Sequence, residues 1–217
     1  MMTICFVRME LNMNEKIGTL TFPDYTGLRC LMMPYIQGDP TSVPEEYRSY
    51  FDILISFYFE KDQIGFLTID ESIAFKDTPH RGDRAKYGRA LHTEAGLCKK
   101  TNTYKWGGPT WGGSPTVRLD SNTQILLANS IDNSCAIWDA EHTETSEDGD
   151  IGYESEMYPY SKATFLQANS IHQIGIFTPH ESVPVTDTTH RQFIRILSSG
   201  VHGRESYFTK NPLMNEN

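Results

Sequence analysis

Basic charge is scarce in this chain: 19 Lys and Arg stand against 28 Asp and Glu, a formal net charge of −9 over 217 residues. A chain of that sign meets nucleic-acid phosphates with repulsion unless its cations are segregated, which speaks against a general role in coating DNA or RNA. Cysteine is scarce too. Cys5, Cys30, Cys98 and Cys135 lie far apart, without a CxxC pair or zinc-ribbon spacing. No stretch approaches the roughly 20 apolar residues of a membrane helix. Residues 1–13 contain Arg8 and Glu10 and lack the apolar run of a secretory signal. These absences together lead to the expectation of a cytoplasmic chain with free thiols and no membrane partner. Long helical stretches are also few, because 16 Gly and 11 Pro punctuate the whole length. What remains is 38% hydrophobic and 12% aromatic, enough to bury a core and far from the disordered regime. A single β-rich domain over 1–217 is expected. The acidity is concentrated in 139–156, where eight carboxylates occur without a Lys or Arg; this reads as a solvated loop.

The spacing predicts short strands at 16–22 and 28–35, separated by Pro23, Asp24 and Gly27. Tyr47, Tyr50, Phe51, Leu54, Ile55 and Tyr58 fall on one stripe and predict an amphipathic helix over 45–59, with Pro44, Glu45 and Glu46 suited to its N-terminus. From Ile64 onward the pattern changes to strands, at 64–69, 89–93, 116–119, 124–128, 134–138, 164–168, 173–178 and 192–198. One helix followed by about eight short strands is the element order of a jelly-roll, or double-stranded β-helix. On this reading 15–60 supports a β-helix core at about 64–200.

Two identical tripeptides then stand out, His92-Thr93-Glu94 and His142-Thr143-Glu144. In a strand, residues i and i+2 point to the same face, so His-x-Glu presents an imidazole beside a carboxylate. A second histidine from a remote strand completes a facial triad, which holds Fe(II) with two nitrogens and one oxygen and leaves three positions open. His92 follows a strand-like segment and precedes Ala95-Gly96, a turn. His142 lies in the acidic stretch and reads as an exposed loop residue.

The remote histidine is His180, within Thr178-Pro179-His180-Glu181-Ser182-Val183-Pro184, followed by His190-Arg191-Gln192-Phe193-Ile194-Arg195. This segment resembles the distal-histidine region of prolyl-hydroxylase-like Fe(II)/2-oxoglutarate oxygenases. The resemblance covers roughly 85–198, with specific motifs near 92–94 and 178–195. It implies a double-stranded β-helix, Fe(II) held by His92, Glu94 and His180, and 2-oxoglutarate as cosubstrate. It also implies that Arg191, eleven residues after His180, pairs with the far carboxylate of 2-oxoglutarate, with Arg195 on the same strand face as the alternative. A guanidinium suits that task because its planar fork binds a carboxylate through two donors. The chain departs from the family in using Glu where Asp is usual, and in the long step from His92 to His180. The activity implied is hydroxylation of a small-molecule or peptide substrate.

Other readings stay open. A non-catalytic jelly-roll, serving as a binding or assembly protein, fits the same β-rich pattern, and a cupin-like metalloenzyme would need no 2-oxo acid. Trp106-Gly107-Gly108-Pro109 and Trp111-Gly112-Gly113 either shape the mouth of a pocket or cap the core. The 129–134 segment reads as a structural turn, His172 as a core or pocket-wall histidine, and 80–84 as an exposed basic loop.

Overall fold

A computed structural model of the chain describes residues 14–80, 88–98, 103–106, 117–144 and 151–214, and these are mainly β. In chain order the elements are β1 (Glu15–Thr19), β2 (Arg29–Ile36), α1 (Phe51–Ser56), β3 (Ile64–Ala74), β4 (Ala95–Cys98), β5 (Thr103–Trp106) and β6 (Arg118–Leu119). There follow β7 (Gln124–Asn129), β8 (Cys135–Ile137), β9 (Thr164–Phe165), β10 (Ser170–Gly175), β11 (His180–Ser182), β12 (Thr189–Leu197) and β13 (Val201–His202). A six-stranded antiparallel sheet runs in the order β1-β10-β7-β12-β3-β2, and a smaller sheet runs β11-β8-β9. An isolated antiparallel bridge between His92 and His180 adds a rung on the other edge of β11. Two further antiparallel pairs, β4–β5 and β6–β13, form separate two-stranded sheets.

Between β3 and β12 the chain alternates between sheets: β3 in the large one, the His92 rung in the small one, β7 large, β8 and β9 small, β10 large, β11 small, β12 large. The period-two pattern of β12 shows why this holds together. Its Phe193 and Leu197 face the small sheet and join Ile125, Leu127, Ile137 and Ile174 in one core. Its Ile194 and Ile196 face the other way and join Met33, Tyr35, Leu67, Tyr50 and Leu54 in a second. Each such Leu, Ile or Phe contributes about 1.5–3 kcal/mol on burial, so a strand buried on both faces ties two layers together. A third cluster, Leu91, Ala136, Trp138, Ile151 and Tyr158, covers the outer face of the small sheet.

Several elements differ from expectation. The helix expected over 45–59 is a 3-10 segment, Glu45–Tyr50, continued by the short α1. Tyr47, Tyr50 and Ile53 are buried at a spacing of three, which suits three residues per turn, and Ile55 is exposed. The strand expected at 89–93 reduces to the single His92 rung. The Ala90 carbonyl accepts from the His92 ring, and the Arg89 side chain is drawn to the carbonyls of Ser155 and Tyr158. The strand expected at 164–168 ends at Phe165; beyond it the Ala168 amide donates to Asp132, and Asn169 has φ 63°. Position 116, residues 107–113 of the doubled Trp-Gly-Gly, 81–84 of the basic loop and 145–150 of the acidic stretch lie outside the described residues. Among the described residues no helix is long and apolar enough to cross a membrane. Neither Cys30 nor Cys135 takes part in a disulfide, and burial pushes the Cys30 thiol up to about 12.

Candidate metal centre

The register of one bridge brings the two distant histidines together. His92 and His180 exchange both backbone hydrogen bonds, each 3.0 Å, as an antiparallel hydrogen-bonded pair does. Their rings therefore stand side by side on one face, with centroids 4.3 Å apart. Glu94 follows two residues after His92. The three side chains offer ligand atoms that all lie within 4.8 Å of one another, and Glu94 and His180 are buried while His92 is half-buried.

Hydrogen bonds fix which ring nitrogens can coordinate. His92 Nδ1 is 2.7 Å from the Ala90 carbonyl, and His180 Nδ1 is 2.8 Å from the Thr178 carbonyl. A carbonyl only accepts, so each Nδ1 carries a proton, and a ring in its neutral form has its lone pair at Nε2. Backbone-anchored Nδ1–H groups of this kind orient metal-ligating histidines. His180 Nε2 lies 3.6 Å from Glu94 Oε1. The donor set of two imidazoles and one carboxylate thus fits a divalent transition metal and leaves one side open.

Glu94 has a second neighbour that its motif did not announce: Arg195 of β12 forms a buried ion pair with it. Burial works to raise the Glu94 carboxyl, but Arg195, His180 and His92 outweigh it and hold the group well below the usual carboxylate range. Arg195 is therefore a positioning residue for Glu94.

The same face of β12 carries Arg191, four residues earlier and also buried. Its guanidinium lies over the Phe193 ring, 4.7 Å from the centroid. Its Nη1 is 3.6 Å from Asp70 and makes no hydrogen bond. Burial pulls the guanidinium down to about 10, Asp70 offsetting part of the loss, so it stays cationic at neutral pH. Asp70 is shared with Arg29 and His80, each at 2.9 Å. Around it the inward face of the large sheet is polar: Thr68, Asp70, Asn129, Ser170, His172 and Arg191 are all buried. An interior meant only for packing would be apolar there. His172 is buried on this face, as a core or pocket-wall histidine would be, and burial lowers its pKa.

Other sites fare differently. His142 is buried, not exposed: the segment 151–158 folds over it, its Nδ1 is 2.7 Å from the Tyr158 hydroxyl and its Nε2 2.7 Å from the Glu144 carbonyl. Glu181 points away from the metal centre, to the outer side of β11. There it accepts from Arg89 Nε at 3.1 Å and from the Tyr160 hydroxyl, with the Arg89 guanidinium lying against both the Trp138 and Tyr160 rings. Nothing in the spacing of Arg89, Tyr160 and Glu181 signals this latch, because its members are far apart in the chain. A groove of about 390 Å³ lies elsewhere, between residues 20–23 and the helical segment, and holds none of these groups. Compared with protein-family models, with curated proteins and with solved structures, the chain matches none.

Proposed function

We propose that the protein is an oxygenase using Fe(II), O2 and 2-oxoglutarate to hydroxylate a small-molecule or peptide substrate. The observation that carries this reading is the meeting of His92, Glu94 and His180 with both Nδ1 atoms tied back to backbone carbonyls. These three residues would hold the metal, and Arg191 would take the far carboxylate of 2-oxoglutarate. Arg191 is preferred to Arg195 because Arg195 is already engaged by Glu94. The alternation of strands between two antiparallel sheets supports a double-stranded β-helix as the fold.

Fe(II) with a bound 2-oxo acid supplies the oxygen activation, and the protein supplies position and shielding. The two histidines, tied back through Nδ1, would offer Nε2 to a metal, while Arg195 fixes the carboxylate that completes the set. Arg191, held against Phe193 and Asp70, offers a preset cation to a diacid. The substrate would approach from the side of His92, the most exposed of the three ligands.

The test is anaerobic titration of the folded protein with Fe(II) and 2-oxoglutarate, watching for the weak visible charge-transfer band. The band is expected in the native protein and absent in His180→Ala; Arg191→Met should weaken 2-oxoglutarate binding while leaving metal affinity intact. A folded native protein without the band overturns the reading. One observation favours a second reading, a non-catalytic β scaffold: the Glu94–Arg195 pair already balances the buried carboxylate without a metal. On that reading divalent metals bind no better to the native protein than to His180→Ala.

A further inference from the structure

Asn129 ends β7 at the start of a tight turn. Its Oδ1 accepts from the Ile131 amide at 2.9 Å and from the Ser134 hydroxyl at 2.8 Å, and Asn133 completes the turn at φ 56°. Both acceptor bonds are accounted for by local structure. The other half of the amide is not: Nδ2 is buried and has no hydrogen-bond partner. An orphaned buried donor costs about 1–3 kcal/mol, and a turn alone would be served as well by Asp, which has no N–H to strand.

The register says what this donor faces. Asn129 lies directly opposite Phe193 in the β7–β12 ladder. Two residues along β12, on the same face, is Arg191, whose guanidinium covers the Phe193 ring and whose Nη1 also lacks a hydrogen bond. Diagonal neighbours across an antiparallel pair sit about 7–8 Å apart, a gap that a short amide and a long guanidinium can close around one small group. The β7–β12 pairing runs on past them, with Gln192 N donating to Ser130 Oγ at 2.8 Å and Ser130 N to the Gln192 carbonyl at 2.9 Å, so both positions sit on a rigid ladder. Asp70, the acidic neighbour of Arg191, is drawn off by Arg29 and His80.

We infer that Asn129 Nδ2 and Arg191 Nη1 together form a two-donor cradle for the far carboxylate of a dicarboxylic 2-oxo acid, with Asn129 a binding residue as well as a turn former. This rests on the oxygenase reading and assigns it a specificity device. An amide from β7 and a cation from β12 both find their missing acceptor in a carboxylate. A monocarboxylic 2-oxo acid brings nothing to either.

The test compares 2-oxoglutarate with 2-oxobutanoate, which lacks the far carboxylate, by calorimetric titration into the Zn(II)-loaded full chain. Asn129→Asp keeps the Oδ1 acceptor that the turn needs and replaces the donor with a carboxylate oxygen. It should weaken 2-oxoglutarate binding about tenfold or more, leaving 2-oxobutanoate and Zn(II) affinities unchanged. A second measurement needs no variant: the side-chain 15N–1H amide signals of Asn129 in the zinc-loaded native protein should shift with 2-oxoglutarate and not with 2-oxobutanoate. Native protein that binds neither acid sinks the oxygenase reading and the cradle with it. Native protein that binds 2-oxoglutarate, with unchanged affinity in Asn129→Asp or unmoved amide signals, sinks the role of Asn129 alone.

Discussion

Glu94 would have two claimants in the presence of metal, Arg195 and the bound ion, and the contest sets what each substitution should do. Without metal, Arg195 is the cation that makes a buried carboxylate tolerable. Removing one partner of a buried pair costs about 3–5 kcal/mol because the other charge is left uncompensated. Arg195→Met should therefore lower stability in urea by that order in metal-free protein, and Glu94→Gln in the same chain should restore most of it. Saturating Co(II) should narrow the gap between Arg195→Met and the native protein, since the metal supplies the missing positive charge. A gap that metal leaves unchanged would mean that Glu94 serves Arg195 and nothing else. His92 and Glu94 were legible because a ligand pair at i, i+2 leaves a trace in the sequence, whereas His180 was legible only through the motif around it, Pro179-His180-Glu181 and Pro184. Arg195 was legible only as a same-face neighbour of Arg191. Its engagement with Glu94, 101 residues away, is a property of the fold.

At the scale of elements, Glu71 shows how the supporting layer is fastened to the sheet. Its carboxylate receives only donors: the Thr26 amide at 2.7 Å, the Leu28 amide at 2.9 Å and the Thr26 hydroxyl on one oxygen, Tyr50 and Gln192 on the other. A glutamine would turn its own NH2 against those donors, so Glu71→Gln should cost about 1–3 kcal/mol. The pH dependence follows in sign. Burial works to raise the Glu71 carboxyl, but its hydrogen bonds win and its pKa is lowered from 4.5. The native state thus binds this proton less readily than the unfolded chain. Its contribution is complete above about pH 4.5 and is lost as pH falls through the lowered value. Urea melts of native protein and Glu71→Gln should converge in acid; curves that stay parallel would rule this out. None of this was visible in the sequence, where the expected strand stopped at 69, short of Glu71, although the observed one runs to Ala74. The strands around it were readable because β-branched and aromatic residues cluster between turn signals. The segment 89–93 misled for the converse reason: its composition suits a strand, but the His92 ring takes the Ala90 carbonyl and the Ile151 amide takes the Leu91 carbonyl, groups that a ladder would need.

For the whole molecule, the alternation of the chain between two sheets is what turns sequence distance into proximity. Positions 92 and 180 share a rung because β11 returns to the small sheet after β10 has crossed to the large one. The sequence carried the β-rich pattern and the apolar stripes, which are local, but not the pairing order, which depends on contacts between segments many residues apart. A metal bound at that rung clips together two remote parts of the fold, and it binds the native state while the unfolded chain offers no such site. At one hundred times its dissociation constant, such a ligand stabilises by about 2.7 kcal/mol. For a chain of this size that corresponds to a rise in melting temperature of roughly 5–10 °C. Co(II) should produce that rise in the native protein and in Arg191→Met, which keeps all three ligands, but not in His180→Ala. An equal rise in all three proteins would mean that the metal binds elsewhere; no rise in any would leave His92, Glu94 and His180 as a polar knot joining two sheets.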